Sequence, residues 1–185
     1  MKQESTAKYI LRLTLTLLII AATVAALLAV VNQFTLPIIQ AAQLEKTQKA
    51  IQAVLPGGYD TEITDFTDES GLVSKVYKGQ SGYAVEVKPV GFNGEITLMV
   101  GIDHEGKALG ISVVSQAETA GLGAVIADGG EKGQSFRNQF AGMEGLLAVK
   151  KDGGEVEAVS GATISSRAVV KGVNAALDCV KSIIG

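Results

Sequence analysis

The sequence contains few of the residues that build disulfide scaffolds and metal centres. Its 185 residues include no tryptophan, one cysteine (Cys179) and one histidine (His104). A single cysteine cannot form an internal disulfide, and one histidine without cysteine partners does not make a zinc ligand set. We therefore expect neither a disulfide framework nor a metal site.

Positive charge is also scarce. The 16 basic residues are outnumbered by 19 acidic ones, and the net charge is −3. Nucleic-acid binding needs a basic face, so we expect no nucleic-acid partner. The apolar fraction of 47% excludes a disordered chain. No Ser-His-Asp arrangement, P-loop or Rossmann fingerprint is present, and no catalytic residue is assigned.

Charge is missing altogether between Arg12 and Glu45. Within this stretch Leu13–Val31 is an apolar run of 19 residues that three threonines interrupt. At about 1.5 Å per residue such a helix reaches roughly 28 Å, close to the thickness of the hydrocarbon core of a membrane. The sequence predicts a transmembrane helix over residues 13–36 and a helical connector over 37–56.

The flanking charges predict the orientation of this helix. Lys2, Lys8 and Arg12 precede it, and the first basic residue after it is Lys46. The positive-inside rule places residues 1–12 in the cytoplasm and the rest of the chain outside an inner or plasma membrane. The alternative is a cleaved signal peptide, although signal peptides usually have shorter apolar regions of about 7–15 residues.

Residues 57–185 are expected to form one extracytoplasmic α+β domain. Short alternating or β-branched segments separated by glycine-bearing breaks predict an antiparallel sheet, with strands at residues 72–78, 82–87, 95–102 and 108–114. From Ser165 onward, apolar residues recur at steps of four and three and predict an amphipathic C-terminal helix.

The stretch between the sheet and the C-terminal helix has weaker signals. It predicts one helical turn within residues 116–130 and a short helix over 135–140. The turn-like Lys151-Asp152-Gly153-Gly154 predicts a hairpin that joins two short strands, 146–149 and 156–159.

The tetrapeptide Ser160-Gly161-Ala162-Thr163 lies between a predicted strand and the C-terminal helix. One interpretation is helix capping by the two hydroxyl residues. The other is a phosphate site, because small residues allow close approach and a helix start offers free N–H groups and a positive dipole end. Arg167, one turn into the helix, is the cation expected to assist.

The run Glu157-Ala158-Val159-Ser160-Gly161-Ala162-Thr163 resembles the flavinylation motif Asp-x-x-Ser/Thr-Gly-Ala-Thr of the covalent FMN-binding domain family. In that family a dedicated flavin transferase esterifies the last threonine with the phosphate of FMN. The resemblance implies that Thr163 carries FMN and that Ser160, Gly161 and Ala162 lie beside it. Glu157 stands where the family usually has aspartate.

A second segment resembles the same family. Glu118-Thr119-Ala120-Gly121-Leu122-Gly123 is similar to its Glu-Thr-Pro-Gly-Leu-Gly segment, with Ala120 in the place of proline. This likeness implies that Glu118, Thr119, Leu122 and Gly123 lie against the flavin. With the single N-terminal anchor, the chain is most similar to the G subunits of Rnf complexes.

The resemblance implies an electron-transfer subunit of a membrane-bound, ion-translocating ferredoxin:NAD oxidoreductase, and not a stand-alone enzyme. Its partners would be the other subunits of an Rnf-type complex, membrane lipid and, during maturation, a flavin transferase. The alternatives are a C-type subunit of a sodium-pumping NADH:quinone reductase, an extracytoplasmic sensor that binds FMN non-covalently, and a purely structural subunit.

Overall fold

The computed structural model describes residues 6–185 as three α-helices and a five-stranded sheet. The helices are α1 (Thr6–Val54), α2 (Glu131–Asn138) and α3 (Thr163–Ile184). The strands are β1 (Thr61–Ile63), β2 (Val73–Gly79), β3 (Gly82–Val87), β4 (Ile96–Ile102) and β5 (Ala108–Gln116). Two 3₁₀ turns cover Gly123–Ala127 and Lys150–Asp152. Contacts divide the chain into two units, Met1–Glu45 and Lys46–Gly185.

The first unit consists of the apolar part of α1. It belongs to the one helix of the described residues that is long and apolar enough to cross a membrane. Thr14, Thr16 and Thr23 donate hydrogen bonds to the carbonyl oxygens four residues earlier, at 2.6–3.0 Å, so no hydroxyl in the apolar run needs water. Lys2, one of the residues behind the predicted orientation, lies outside the described part of the chain.

The second unit is built on an antiparallel meander in the order β1-β2-β3-β4-β5, which confirms the predicted sheet. The register aligns Val76 with Val85 and Val85 with Val100, so one face carries a row of β-branched side chains. Strand β1 is a short edge strand of three residues, two of which are exposed.

Helices cover both faces of this sheet. The predicted C-terminal helix α3 packs on the valine face, where Gly172 lies against Pro89, Val87 and Leu98. The last turns of α1 pack on the other face, where a Cβ on Gly101 would collide with the carbonyl of Val54. Strand β3 is consequently buried along its whole length.

The connection from β5 to α3 positions the site and differs in part from its prediction. The helical turn within 116–130 is present as Gly123–Ala127. The short helix lies at Glu131–Asn138, so it begins four residues and ends two residues earlier than predicted. The predicted hairpin of strands 146–149 and 156–159 is wrong. Val149 and Val156 form a single parallel bridge, and Lys150–Asp152 is a 3₁₀ turn that ends at Gly153 in the left-handed region.

Candidate functional site

Seven of the eight predicted site residues line one cleft of about 370 Å³. Residues 118–123, which lead from β5 into the 3₁₀ turn, supply one wall, and the start of α3 supplies the other. The predicted residues in the cleft are Glu118, Thr119, Leu122, Gly123, Gly161, Ala162 and Thr163. Ser160 does not line it: its side chain lies on a neighbouring groove together with Glu157.

Thr163 is the first residue of α3 and is partly exposed at the cleft. The residue before it, Ala162, occupies the N-cap position, and no side chain caps the helix there. The segment that leads into α3 is held instead by Ser166. Its hydroxyl donates a hydrogen bond to Ala162 O and accepts one from Val159 N, both at 3.0 Å. The first-turn N–H groups are therefore left without a side-chain cap beside the Thr163 hydroxyl.

Gly161 makes the turn before Thr163 possible. Its φ of +77° lies in the left-handed region, and a Cβ there would come within 3.1 Å of Leu122 Cδ2. Both facts favour glycine, because a larger residue would have a strained backbone and the Leu122 side chain would have to shift to make room for it. The Ser-Gly-Ala-Thr segment thus has a conformational reason for its small residues.

Glu118 lines the cleft and is buried, with 8% of its surface exposed. One carboxylate oxygen accepts a hydrogen bond from Asn93 N at 3.0 Å, and the other accepts one from the Ser165 hydroxyl. Gly123 allows this arrangement, because a Cβ on it would collide with both the Glu118 carboxylate and Ser165 Oγ. The carboxylate therefore joins three segments of the chain. Its hydrogen bonds hold the wall at Glu118 against Asn93 and Ser165.

Lys151 is a site residue that the sequence did not reveal. Its Nζ donates a hydrogen bond to Thr163 Oγ1 at 3.2 Å, and its side chain lines the cleft. The sequence placed Lys151 in a hairpin turn, from which no contact with Thr163 follows. The parallel bridge and the 3₁₀ turn bring the two residues together.

Arg167 does not play the part that the sequence suggested for it. Its guanidinium binds both carboxylate oxygens of Asp152, with Nε–Oδ2 at 2.7 Å and Nη2–Oδ1 at 2.6 Å. The hydrogen bonds and charge of Arg167 lower the pKa of Asp152 below its ordinary value. This bidentate pair leaves Lys151, and not Arg167, as the cation at Thr163.

Glu157, in the aspartate position of the motif, lies outside the cleft. Its carboxylate accepts a hydrogen bond from Lys150 Nζ at 3.0 Å, while its backbone is held on both sides by the Gln139 side chain. With Ser160 it faces the neighbouring groove. The motif therefore presents two different faces: Glu157 and Ser160 on one, and Gly161 to Thr163 on the other.

The cleft has the two kinds of surface that a flavin nucleotide needs. Exposed apolar side chains of Phe92, Leu122 and Ile164 border it, which suits an aromatic ring system. The cleft also offers polar groups that suit a phosphate: the Thr163 hydroxyl, the Lys151 ammonium and the start of α3, which has no side-chain cap. The residues present thus fit FMN.

Known proteins are similar to this one over almost its whole length. Residues 91–178 match the model of the FMN-binding domain. The G subunit of an ion-translocating oxidoreductase complex from Methanosarcina acetivorans is 34% identical over 96% of this chain and 98% of the relative. The G subunit of a Na(+)-translocating ferredoxin:NAD(+) oxidoreductase complex from Acetobacterium woodii is 32% identical, over 95% and 94% of the two chains. The G subunit of an ion-translocating oxidoreductase complex from Pseudomonas aeruginosa is 32% identical over 94% of this chain and 89% of its own length.

Proposed function

This chain belongs to the family of G subunits of ion-translocating oxidoreductase complexes, and we propose that it is an electron-transfer subunit of an Rnf-type membrane complex that carries FMN. The observation that carries this proposal is the meeting of both family segments in one cleft, with Thr163 at its edge. FMN, when bound, supplies electron transfer in single or paired steps. The chain's residues bind it, orient it and leave one side of it accessible to redox partners.

We further propose that Thr163 holds FMN covalently. Its Oγ1 attacks the FMN phosphorus of FAD, a phosphoanhydride of FMN and AMP, on a flavin transferase. The Oγ1–P bond forms, the anhydride P–O bond breaks, AMP leaves and the hydroxyl proton passes to solvent, with no change in oxidation state. The partial exposure of Thr163 supports this proposal, since the transferase must reach the hydroxyl.

The remaining predicted residues act on the flavin by shape and hydrogen bonding in this proposal. Gly161 and Ala162 let the nucleotide approach the backbone, while Thr119 and Leu122 border the ring. Glu118 and Gly123 hold the two walls of the cleft together where they meet Ser165. Ser160, which faces the neighbouring groove with Glu157, contributes to recognition by the transferase.

The proposed location follows from α1. We propose that residues 13–36 span the inner or plasma membrane, that 1–12 are cytoplasmic, that 37–56 connect the span to the domain, and that 57–185 form the extracytoplasmic FMN domain. Exposed apolar side chains along the helix and its internally bonded threonines support a lipid environment. The tether raises the effective concentration of the flavin near the other subunits of the complex.

The test uses two threonines of the same cleft. The full-length chain, with Thr163→Val and Thr119→Val variants, is coexpressed with a flavin transferase and supplied with Mg²⁺. Flavin fluorescence is then measured in a denaturing gel. We expect fluorescent bands from the wild type and Thr119→Val, and a dark band from Thr163→Val, because only Thr163 supplies the acceptor hydroxyl.

Other patterns would redirect the assignment. A dark wild-type band with flavin in the native protein would indicate non-covalent binding, and no flavin in either state would favour a structural subunit. A fluorescent Thr163→Val band would place the attachment at another residue. Loss of the signal in Thr119→Val alone would move the attachment to the opposite wall of the cleft.

A further inference from the structure

The residues that line the cleft, all within the described part of the chain, include one cation, Lys151. Its Nζ lies 3.2 Å from Thr163 Oγ1 and donates a hydrogen bond to it. We infer that Lys151 is the phosphate-binding residue of this site: it orients the acceptor hydroxyl before attachment and neutralises the phosphodiester afterwards. This inference rests on the proposed attachment of FMN at Thr163.

Two neighbouring cations are already paired with carboxylates. Arg167 is bound in a bidentate pair by Asp152, and Lys150, the sequence neighbour of Lys151, donates to Glu157 at 3.0 Å. Each of these carboxylates lies outside the cleft. The charge of Lys151 also helps to lower the pKa of Asp152, but its ammonium donates a hydrogen bond to the hydroxyl of Thr163. The charge that faces the attachment point therefore comes from Lys151.

The backbone fixes this arrangement. Lys151 lies in the 3₁₀ turn, which ends at Gly153 with φ of +86°. Gly154 packs so closely on Ala148 that a Cβ there would collide with the Ala148 backbone, and Val149 bridges Val156. The turn is thus held against the extended segment that leads into Ser-Gly-Ala-Thr, and the Lys151 side chain reaches Thr163 from it.

The other half of the phosphate environment is the start of α3. Ala162 provides no side-chain cap, so the N–H groups of the first turn, in which Thr163 lies, are not taken up by a capping side chain. A phosphodiester carries one negative charge, which one ammonium and a helix start can balance. The carboxylate that also lines the cleft, Glu118, accepts hydrogen bonds from Asn93 N and the Ser165 hydroxyl. The positive groups beside Thr163 are therefore Lys151 and the start of α3.

The experiment compares Lys151→Met and Lys151→Arg with the matched control Lys150→Met. Each full-length chain in detergent is incubated with flavin transferase, FAD and Mg²⁺, and the rate of covalent fluorescence is measured. Because a charge-assisted hydrogen bond is lost, we expect Lys151→Met to react about tenfold more slowly. Lys151→Arg should return to within about threefold of the wild type, and Lys150→Met to within about twofold, since neither removes the charge at Thr163.

The phosphorus-31 resonance of the fully loaded chains separates phosphate binding from an effect on the transferase. We expect it to move in Lys151→Met and to stay in place in Lys150→Met. A fluorescent wild type with an unchanged resonance in Lys151→Met would overturn the inference, whatever the rates, and leave the attachment at Thr163 standing. Equal rates for Lys151→Met and the wild type would also overturn it. A dark wild-type band would overturn the attachment itself, and this inference with it.

Discussion

The two walls of the cleft use polar groups in opposite ways. On the wall formed by residues 118–123, the Glu118 carboxylate is buried and both of its oxygens accept hydrogen bonds from the protein. On the wall formed by residues 161–165, Thr163 is partly exposed, its hydroxyl accepts a hydrogen bond from the exposed Lys151 side chain, and the helix start has no side-chain cap. Buried groups that bond one another hold the cleft together, whereas exposed ones remain open to a ligand. Substitutions should therefore alter stability on the first wall and flavin loading on the second.

The largest effect on stability is expected from Gly123→Ala. A Cβ at this position would collide with the Glu118 carboxylate and with Ser165 Oγ, so the walls must separate or the carboxylate must leave its partners. We expect the free energy of unfolding to fall by about 3 kcal/mol, which lowers Tm by roughly 10 °C. Thermal unfolding of the full-length chain in detergent measures this.

Gly129→Ala is the matched control for that substitution. It adds the same methyl group on the same connection, where nothing lies within 4 Å of the new Cβ. Its Tm should stay within about 2 °C of the wild type. An equal fall in Tm in the two variants would show that any added methyl group destabilises this connection. The close packing at Gly123 would then not be the cause of the lower Tm.

A smaller effect is expected from Glu118→Ala. The substitution leaves Asn93 N and the buried Ser165 hydroxyl without their acceptor, which costs about 2 kcal/mol. Glu155→Ala removes the same charge from an exposed position and should change stability by less than about 0.5 kcal/mol. The two unfolding curves, recorded under identical conditions, test this difference. Coincident curves would contradict a structural role for the buried carboxylate.

The sheet and α3 were predictable because their patterns are local and repeated. Alternating segments such as Gly82–Val87, and apolar steps of four and three along α3, report burial directly. The first unit was predictable for a simpler reason. An apolar run without charge and as long as Leu13–Val31 is typical of a transmembrane helix. These signals established the α+β class and the candidate membrane helix.

The contact between Lys151 and Thr163 was not predictable in the same way. It depends on a parallel bridge between Val149 and Val156, whereas Gly153 and Gly154 favour a hairpin when the sequence is considered alone. The bridge is a single pair and leaves no periodic pattern in the sequence. Residues joined by such a contact lie twelve positions apart, and only the folded connection brings them together.

Arg167→Gln tests the second wall with the smallest expected effect. The sequence favoured Arg167 as the cation for the phosphate, but its guanidinium is bound by Asp152. We expect flavin loading within about twofold of the wild type, because Lys151 remains at Thr163. Lys171→Gln, another exposed cation on α3, is the matched control. A loss of loading as large as that expected for Lys151→Met would indicate that Arg167 binds the phosphate.

The same variant should change the titration of Asp152. Arg167 holds the pKa of this carboxyl below its ordinary value, through its hydrogen bonds first and its charge second. A depressed pKa in the folded state stabilises the protein above the ordinary carboxyl pKa, and this stabilisation is lost as the pH falls through the folded value. Arg167→Gln should therefore raise the pKa of Asp152 and remove that part of the acid sensitivity, which carbon-13 NMR of the carboxyl group can follow. If the Asp152 pKa stays in place while loading falls, Arg167 acts on the phosphate and not on its carboxylate partner.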